Sequence, residues 1–262
     1  MWDALSGVSA ALAALLSFFA IIYQVWSNKK STTPILIPEL KTFSANIHNV
    51  IYDWDTNEEL DKKFSNSTLE LKNIGKESAV DIRYSFRIEN EDELQEYFLK
   101  SNKPKNTPDA RFVKICDDEF LGKIVEFHRI SEKEQSYSKT YFANSYVKTG
   151  SSIAANSSEK IYLPSYFIAI VNHNFVGELG YEGELKPIMP ILRLKINFKD
   201  IYLKEWSVVY LLSMSRAYSF KSYSNLTTSV EYEQINKMKR IRSKWVKYIP
   251  LLAIVLFYAF LY

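Results

Sequence analysis

The sequence predicts a mainly β protein, an antiparallel, Ig-like β-sandwich with a transmembrane helix at its N-terminal and its C-terminal side. Apolar and polar residues alternate with a period of two through the middle of the chain, which is typical of half-buried strands. Tyrosine, with 18 copies, and phenylalanine, with 16, also favour sheet over helix. The longest apolar runs lie instead at the two ends of the chain. No long helical patterns alternate with the strands, which favours an antiparallel sandwich or barrel, and of these we predict the sandwich.

These patterns divide the chain into four segments. We predict an N-terminal transmembrane helix over residues 1–28, a cytoplasmic β-sandwich domain with long loops over 29–227, a basic stalk helix over 228–244 and a C-terminal transmembrane helix over 245–262. The first apolar run, residues 4–26, has no charged residue and can cross a hydrocarbon core of about 30 Å. A cleaved signal peptide is the alternative, but it requires cations before the apolar run, and here two lysines follow it.

The C-terminal apolar run, residues 248–262, is short for a membrane helix. Trp245 and Val246 extend it, because the neighbouring lysines can reach back to the headgroups. The alternative is a buried C-terminal core helix, against which the six cations directly before the run argue.

Cations lie next to the central domain on the flank of each predicted membrane helix. The positive-inside rule therefore predicts a two-pass protein of the inner (plasma) membrane, with the domain in the cytoplasm and both termini outside. Because basic residues are concentrated in these flanks, the pI of 8.6 does not indicate nucleic-acid binding. The residues predicted to contact lipid headgroups are Lys29, Lys30, Lys237, Lys239, Arg240, Arg242, Lys244 and Lys247.

Small or polar residues recur along the first apolar run at steps of four and three, which places them on one helix face. Small faces let helices pack closely in lipid. The partner is either this chain's own second membrane helix or the same helix of another copy in a homo-oligomer. The predicted helix-packing residues are Ser6, Ala10, Ala13, Ser17 and Ala20.

Several segments of the central domain show the strand pattern, and a proline-punctuated stretch over residues 34–43 suits a linker or edge strand. The last two strand candidates form a predicted hairpin around a turn that contains Asp200. The polar stretches 90–110 and 131–158 are predicted to be long loops or elaborations of this domain, not a separate domain. The strand candidates are 68–73, 79–88, 111–116, 160–163, 191–198 and 206–214.

The stalk helix is predicted from two local signals. Thr228 and Glu231 have capping-box spacing, and Ile235, Met238 and Trp245 fall along one helical face. A continuous helix from the domain into the membrane could transmit a rigid shift, with the domain as the sensor.

The stretch LELKNIGKESAVDIRYSF, residues 69–86, resembles a strand–turn–strand of small bacterial membrane-anchored β-sandwich proteins with two flanking transmembrane helices. The shared pattern is L-x-L-x-N-x-G-x-x-x-A-x-x-I. RLKINFKDIYLKEWSVVY, residues 193–210, is similar to a later hairpin of such proteins, where an aromatic often stands in place of Asn197 or Phe198. The resemblance rests on structural residues and implies the fold. Some proteins with a similar architecture act in bacterial anti-phage systems and damage the membrane on a signal.

The chain shows no residue pattern typical of catalysis or metal binding. His48, His128 and His173 are far apart in sequence, and Cys116 is the single cysteine. The acids after Cys116 are expected to raise the pKa of its thiol. A calcium-loop match that begins at Asp53 fails at its sixth and twelfth positions. We therefore predict no enzyme, no cofactor and no metal.

Two functions fit these observations. The first is a non-enzymatic membrane-anchored sensor or binding module that couples a cytoplasmic β domain to the membrane. The alternative is a membrane-perturbing effector of a bacterial anti-phage (abortive infection) system. An unrecognised hydrolase is a weaker alternative that needs convergent polar residues. The expected partners are the lipid bilayer and either another copy or a cytoplasmic protein, and the charge distribution argues against nucleic acid.

Overall fold

The protein is mainly β, as predicted, with a strand content of 53%. Its strands pair antiparallel throughout the described sheets. The computed structural model describes residues 13–25, 27, 33–46, 50–101, 110–130, 136–143, 145–148, 152–179, 188–215, 219–222 and 225–240.

Three helices and fourteen strands lie within these residues. The helices are α1, whose described part covers 13–25, α2 (Glu91–Ser101) and α3 (Ser165–Leu179). The strands are β1 (Leu36–Pro38), β2 (Lys41–Asn46), β3 (Phe64–Asn73), β4 (Ala79–Ile88), β5 (Ala110–Asp118), β6 (Gly122–Ile130), β7 (Ser136–Phe142), β8 (Ser145–Lys148), β9 (Ser152–Ile153), β10 (Ser158–Pro164), β11 (Leu192–Lys199), β12 (Glu205–Met214), β13 (Ser219–Ser222) and β14 (Asn225–Arg240).

The strands form three sheets. The largest has eight strands, in the order β13-β14-β12-β11-β4-β8, with β2 also beside β14 and β9 also beside β4. The other two are β1-β3-β10 and β5-β6-β7. The predicted hairpin around Asp200 is confirmed as β11 and β12, and the 34–43 stretch supplies β1 and the start of β2.

The β1-β3-β10 sheet and the eight-stranded sheet share one apolar core, because alternate residues of β3, β4 and β11 are buried. Two tyrosines also bridge the sheets. The hydroxyl of Tyr210 donates to the carbonyl of Leu36 at 2.6 Å, and the hydroxyl of Tyr84 accepts from the backbone N–H of Tyr162 at 3.2 Å. Burial raises the pKa of both phenols, and Tyr210 therefore keeps the proton that it donates to Leu36.

A second layer consists of α2 with the β5-β6-β7 sheet, which we call the distal unit. Lys123 on β6 pairs with Glu91 at the start of α2, at 2.6 Å. The buried side chains of α2 are Leu94, Tyr97 and Phe98. The loop interpretation of residues 90–110 and 131–158 is therefore wrong over α2 and over β7, β8 and β9, which are a helix and strands. The polar sequence of α2 packs through one apolar face.

The stalk helix predicted over residues 228–244 is wrong for its described part, because β14 continues to Arg240. The capping-box spacing gave a helix signal, but pairing with β2 and then β12 satisfies the backbone of this segment. Leu226, Thr228 and Val230 alternate into the core, which a helix would not allow. Residues 241–244 lie outside the described chain.

Within the part of the chain that the structure describes, no helix is long and apolar enough to cross a membrane. The two membrane helices predicted at 1–28 and 245–262 stay predictions. Of the first, residues 13–25 and 27 are helical, and the second lies wholly outside the described residues.

The side chain of Asn73 is fully buried and joins separate stretches of backbone. Its amide Nδ2 donates to the carbonyl of Glu77 at 2.7 Å and to that of Ile153 at 3.1 Å. Its Oδ1 accepts from the backbone N–H of Ile35 at 3.1 Å and of Gly75 at 3.0 Å. One amide therefore fixes the approach to β1, the β3–β4 turn and the end of β9.

We expect Asn73→Ala to lower the free energy of unfolding by about 2–4 kcal/mol, because it leaves several buried backbone groups without partners. Denaturant unfolding of the purified chain measures this. The matched control is Asn66→Ala, an exposed position on the same strand, for which a change below about 0.5 kcal/mol is expected. Equal effects of the two substitutions would contradict the role of Asn73.

Candidate functional site

One end of the domain, which we call the base, gathers the ends of several strands. In the sheet β1-β3-β10, Leu36 at the start of β1 pairs with Asn73 at the end of β3. In the eight-stranded sheet, β4 begins at Ala79, one short turn after Asn73. Lys199 at the end of β11 pairs with Val80. Both sheets therefore terminate together at the base.

The last described strand, β14, also ends at the base. Glu205 at the start of β12 pairs with Lys199, and Trp206 pairs with Arg240, the last residue of β14. Antiparallel neighbours alternate in direction, so the start of β4 and the end of β14 lie on the same side. With strands about 4.8 Å apart, Arg240 lies roughly 14 Å along the sheet from Val80.

The segment before β1 is held tightly against the base. A Cβ atom at Gly75 would lie 2.5 Å from the carbonyl oxygen of Thr33 and 2.6 Å from both the N of Ile35 and the Cα of Pro34. All three are backbone atoms that cannot rotate away, so this close approach requires glycine. The backbone N–H of Ile74 also donates to the carbonyl of Ile35 at 2.9 Å. The chain thus reaches the domain at the end where β14 leaves it.

Asp200 fixes the β11–β12 turn that projects from the base. Its carboxylate is buried and accepts from the backbone N–H groups of Tyr202 and Lys204, both at 2.9 Å, and from the indole Nε1 of Trp206 at 3.1 Å. The backbone N–H of Leu203 donates to the carbonyl of Asp200 at 2.9 Å. Three hydrogen bonds to one buried carboxylate hold the backbone of the turn in a single conformation.

Three large apolar side chains occupy the tip of this turn. Ile201, Tyr202 and Leu203 are 50%, 63% and 71% exposed. We call these residues, 201–203, the apolar turn. Ile35 and Ile74, at 41% and 48% exposed, lie at the same end of the domain. The base thus displays several apolar side chains to solvent.

The base carries cations beside these apolar residues. Lys199 pairs with Asp81 at 2.8 Å, and the ammonium of Lys204 lies 5.0 Å from the ring centroid of Tyr202. Glu205 is an exposed acid at the same end. The final residues of β14 bring further basic positions to the base, namely Lys237, Lys239 and Arg240.

The predicted headgroup residues divide accordingly. Although the helix predicted for Lys237, Lys239 and Arg240 is wrong, the strand brings all three to the base. Their contact with lipid stays a prediction. The other predicted headgroup residues lie outside the described chain, namely Lys29, Lys30, Arg242, Lys244 and Lys247.

Three of the predicted helix-packing residues, Ala13, Ser17 and Ala20, lie on one side of α1 at about 100° per residue. The hydroxyl of Ser17 donates to the carbonyl of Ala13 at 2.8 Å, so its polar group is satisfied within the helix. Ser6 and Ala10 lie outside the described residues. The exposed large apolar residues of α1 are Leu15, Leu16, Phe18, Phe19, Ile21, Ile22, Tyr23 and Val25.

The structure does not bring the described histidines into one site. His128 Nε2 lies 3.6 Å from Glu126 Oε2 on β6, whereas the ring of His173 on α3 packs edge-on against Phe98. His48 falls outside the residues described. Among those that are described, no three His, Cys, Asp or Glu side chains are placed to hold a metal ion.

Asp53, at the start of the failed calcium-loop match, has a structural role. Its carboxylate accepts from the backbone N–H of Asp55 at 2.9 Å and from both the backbone N–H and the hydroxyl of Ser67 at 2.9 Å. The next residue, Trp54, donates from Nε1 to Oδ1 of Asn172 at 2.7 Å. These bonds tie the 50–60 segment to β3 and α3.

Cys116 on β5 is partly exposed. Partial burial is the main reason that the pKa of its thiol is raised, and Glu126 raises that pKa further, whereas Lys114 lowers it. The raised thiol pKa expected from the sequence is confirmed in direction. The neighbouring acids Asp117 and Asp118 contribute less than Glu126, which the antiparallel partner strand supplies.

The apolar turn is the feature that the sequence prediction missed. Hairpin turns usually contain Gly, Asn, Asp or Ser. Three consecutive large apolar residues in a predicted turn could therefore have indicated an exposed apolar surface from the sequence alone. The sequence pattern predicts the turn at Asp200, but the exposure of residues 201–203 is not part of that prediction.

No family model matches this chain, and no curated protein or solved structure shows significant similarity to it.

We expect Cys116 to react slowly with iodoacetamide at neutral pH, because a raised pKa leaves less thiolate. Glu126→Gln removes a charge that raises this pKa and should speed alkylation, whereas Lys114→Gln should slow it. Mass spectrometry of the alkylated chain over a pH series measures the rates. An unchanged rate in both variants would show that these charges do not act on the thiol.

Proposed function

We propose that this chain is a non-enzymatic, membrane-anchored sensor or binding module with its β domain in the cytoplasm. Helices at residues 1–28 and 245–262 would hold it in the inner membrane. The observation that supports this best is that residues 33 and 240 lie at the same end of the domain. A domain with both flanks at its base can be held by two helices in one membrane, with neither linker crossing its length. The Ig-like form of the sandwich belongs to the same proposal.

The surface of the base supports the same orientation. A membrane interface favours cations together with aromatic and large apolar side chains. The base combines Lys204, Tyr202 and Leu203 with the basic end of β14. The first described helix, α1, adds apolar side chains that are 48% to 68% exposed, as a lipid-facing helix requires.

The distal unit lies at the other end of β4 and would face the cytoplasmic partner. Val80 and Ile88, near the two ends of β4, are about 27 Å apart at 3.4 Å per residue. Glu91, which binds Lys123 of the distal unit, follows Ile88 directly after one short bend. The exposed apolar side chains of the distal unit are Leu99 at 76%, Phe120 at 93% and Leu121 at 49%.

The second candidate function is a membrane-perturbing effector, as in anti-phage proteins of similar architecture. The small-residue face of α1 at Ala13, Ser17 and Ala20 favours it, because such a face lets several copies of a helix associate in lipid. Such association could open a leak only in the effector. The family resemblance over residues 69–86 is compatible with either function.

Reporter fusions test the two-pass topology. A reporter active only outside the cytoplasm should give signal when fused before Met1 or after Tyr262, and none when inserted at the exposed 119–121 turn. A fluorescent protein that folds only in the cytoplasm should give the opposite pattern. Cytoplasmic signal from a fusion after Tyr262 would refute the topology, and release of the chain by carbonate washing would refute the anchoring.

The effector alternative predicts ion leakage when the full chain is expressed. Replacing Ala13 and Ala20 with leucine should then abolish the leak, since a bulky side chain keeps the helices apart. The matched control replaces Leu15 and Ile22, on the opposite side of α1, with alanine and should leave the leak unchanged. A potential-sensitive dye measures leakage in growing cells. No leakage from any variant would leave the binding module as the better function.

A further inference from the structure

We propose that the apolar turn, residues 201–203, inserts its side chains into the interface of the lipid bilayer. This inference rests on the proposed membrane anchoring and adds a second contact between the domain and the membrane. The turn would fix the tilt of the domain, which two anchors joined by short linkers do not fix by themselves.

The position of the turn beside the end of β14 is the first argument. Trp206 pairs with Arg240, and the turn extends about three residues, or roughly 10 Å, beyond that pair. Residues 241–244 separate Arg240 from the predicted membrane helix, and four extended residues reach at most about 14 Å. The turn therefore extends toward the membrane by most of the distance that residues 241–244 can span. Its tip would then lie at the depth of the headgroups.

The backbone of Leu203 is the second argument. Its φ is 60°, in the left-handed region that disfavours a residue with a branched apolar side chain. This strain has a cost, and glycine or asparagine at this position would avoid it. The side chain of Leu203 is 71% exposed and does not pack in the core, so packing within the domain does not offset this strain. A contact outside the domain would offset it. The other described non-glycine residues with positive φ all carry short polar side chains that tolerate the region, namely Asn57, Asp81 and Asn156.

The composition of the turn indicates lipid as the occupant. Tyr202 has an apolar ring and a polar hydroxyl, the combination that is enriched at membrane interfaces. The ammonium of Lys204, directly after the turn, lies 5.0 Å from the centroid of that ring, so a cation stands beside the apolar side chains, whereas Lys199 before the turn is paired with Asp81. Lysines can keep their ammonium groups among anionic headgroups while the neighbouring apolar groups lie deeper.

A single-cysteine probe tests the contact in the full chain. With Cys116→Ser as background, Tyr202→Cys is labelled with the environment-sensitive dye NBD and the protein is reconstituted into vesicles of phosphatidylethanolamine and phosphatidylglycerol. We expect a blue-shifted emission that lipids spin-labelled near the headgroup quench. Aqueous iodide should quench it poorly.

The matched control is Phe120→Cys in the same background. Phe120 is 93% exposed, and its turn is also fixed by an aspartate, because the backbone N–H groups of Phe120 and Leu121 donate to Asp118 at 2.8 Å. This turn lies in the distal unit, so we expect iodide to quench its probe and spin-labelled lipid to have no effect.

The outcomes separate this inference from the proposed function. If the protein is in the vesicles but iodide quenches both probes, the apolar turn does not contact lipid and the inference is wrong while the anchoring stands. If neither quencher reaches the probe at 202, protein covers the turn, a second copy or another part of the chain, and the inference is again wrong. If the protein does not incorporate into vesicles, the anchoring fails and the inference falls with it.

A variant that keeps the fold provides a second test. Leu203→Asn relieves the left-handed strain and should raise the melting temperature by about 2–4 °C. In the membrane it should reduce the quenching of the probe at 202 by spin-labelled lipid. A lower melting temperature together with unchanged quenching would show that Leu203 serves the fold, which would overturn the inference.

Discussion

The buried amide of Asn73 is the interaction on which the arrangement of the base depends. It binds backbone groups from the segment before β1, from the β3–β4 turn and from the end of β9. Its own backbone N–H donates to the carbonyl of Ser157 at 2.9 Å, which adds the approach to β10. Because Gly75 has no Cβ, the segment before β1 can pack directly against the β3–β4 turn. The two sheets therefore end in one place, and the chain before β1 has one route into the domain.

The position of the last strand follows from the direction of its neighbours. Starting from β4, the chain of pairs runs through β11 and β12 to β14, and each step reverses the direction. The end of β14 thus returns to the base that Asn73 organises. A stalk helix over the same residues would have left this exit unconstrained, because a helix can leave a domain at many angles. The strand ties Arg240 to Trp206, and through the sheet to the segment at Pro34.

The sequence predicted those strands whose two faces differ in polarity. The range Ala79–Ile88 matches the structure, and the hairpin of β11 and β12 agrees within a few residues, because each strand faces the core on one side. β14 was missed because Thr228 and Glu231 give a capping signal within four residues. Its true partners, β2 and β12, are fixed by tertiary contacts that local spacing cannot show. At the candidate site, the sequence supplied the cations and Asp200 but not the strain at Leu203, since a backbone angle is visible only in the fold.

Because residues 225–240 form a strand and not part of a stalk helix, the proposed coupling between domain and membrane takes a different form. A helix can rotate or shift along its axis on its own, whereas β14 is bonded to β12 over most of its length and cannot move without the sheet. If the chain is anchored and binds a partner at the distal unit as we propose, that partner would act on the membrane through a tilt of the whole sheet. In that case β4 is the lever, with Glu91 near one end and the base at the other. A rigid turn at the base, held by the carboxylate of Asp200, can convert such a tilt into a change of depth in the bilayer. A flexible turn would bend when the sheet tilts and would not change depth. The hydrogen bonds of Asp200 would then serve this coupling as well as the stability of the turn.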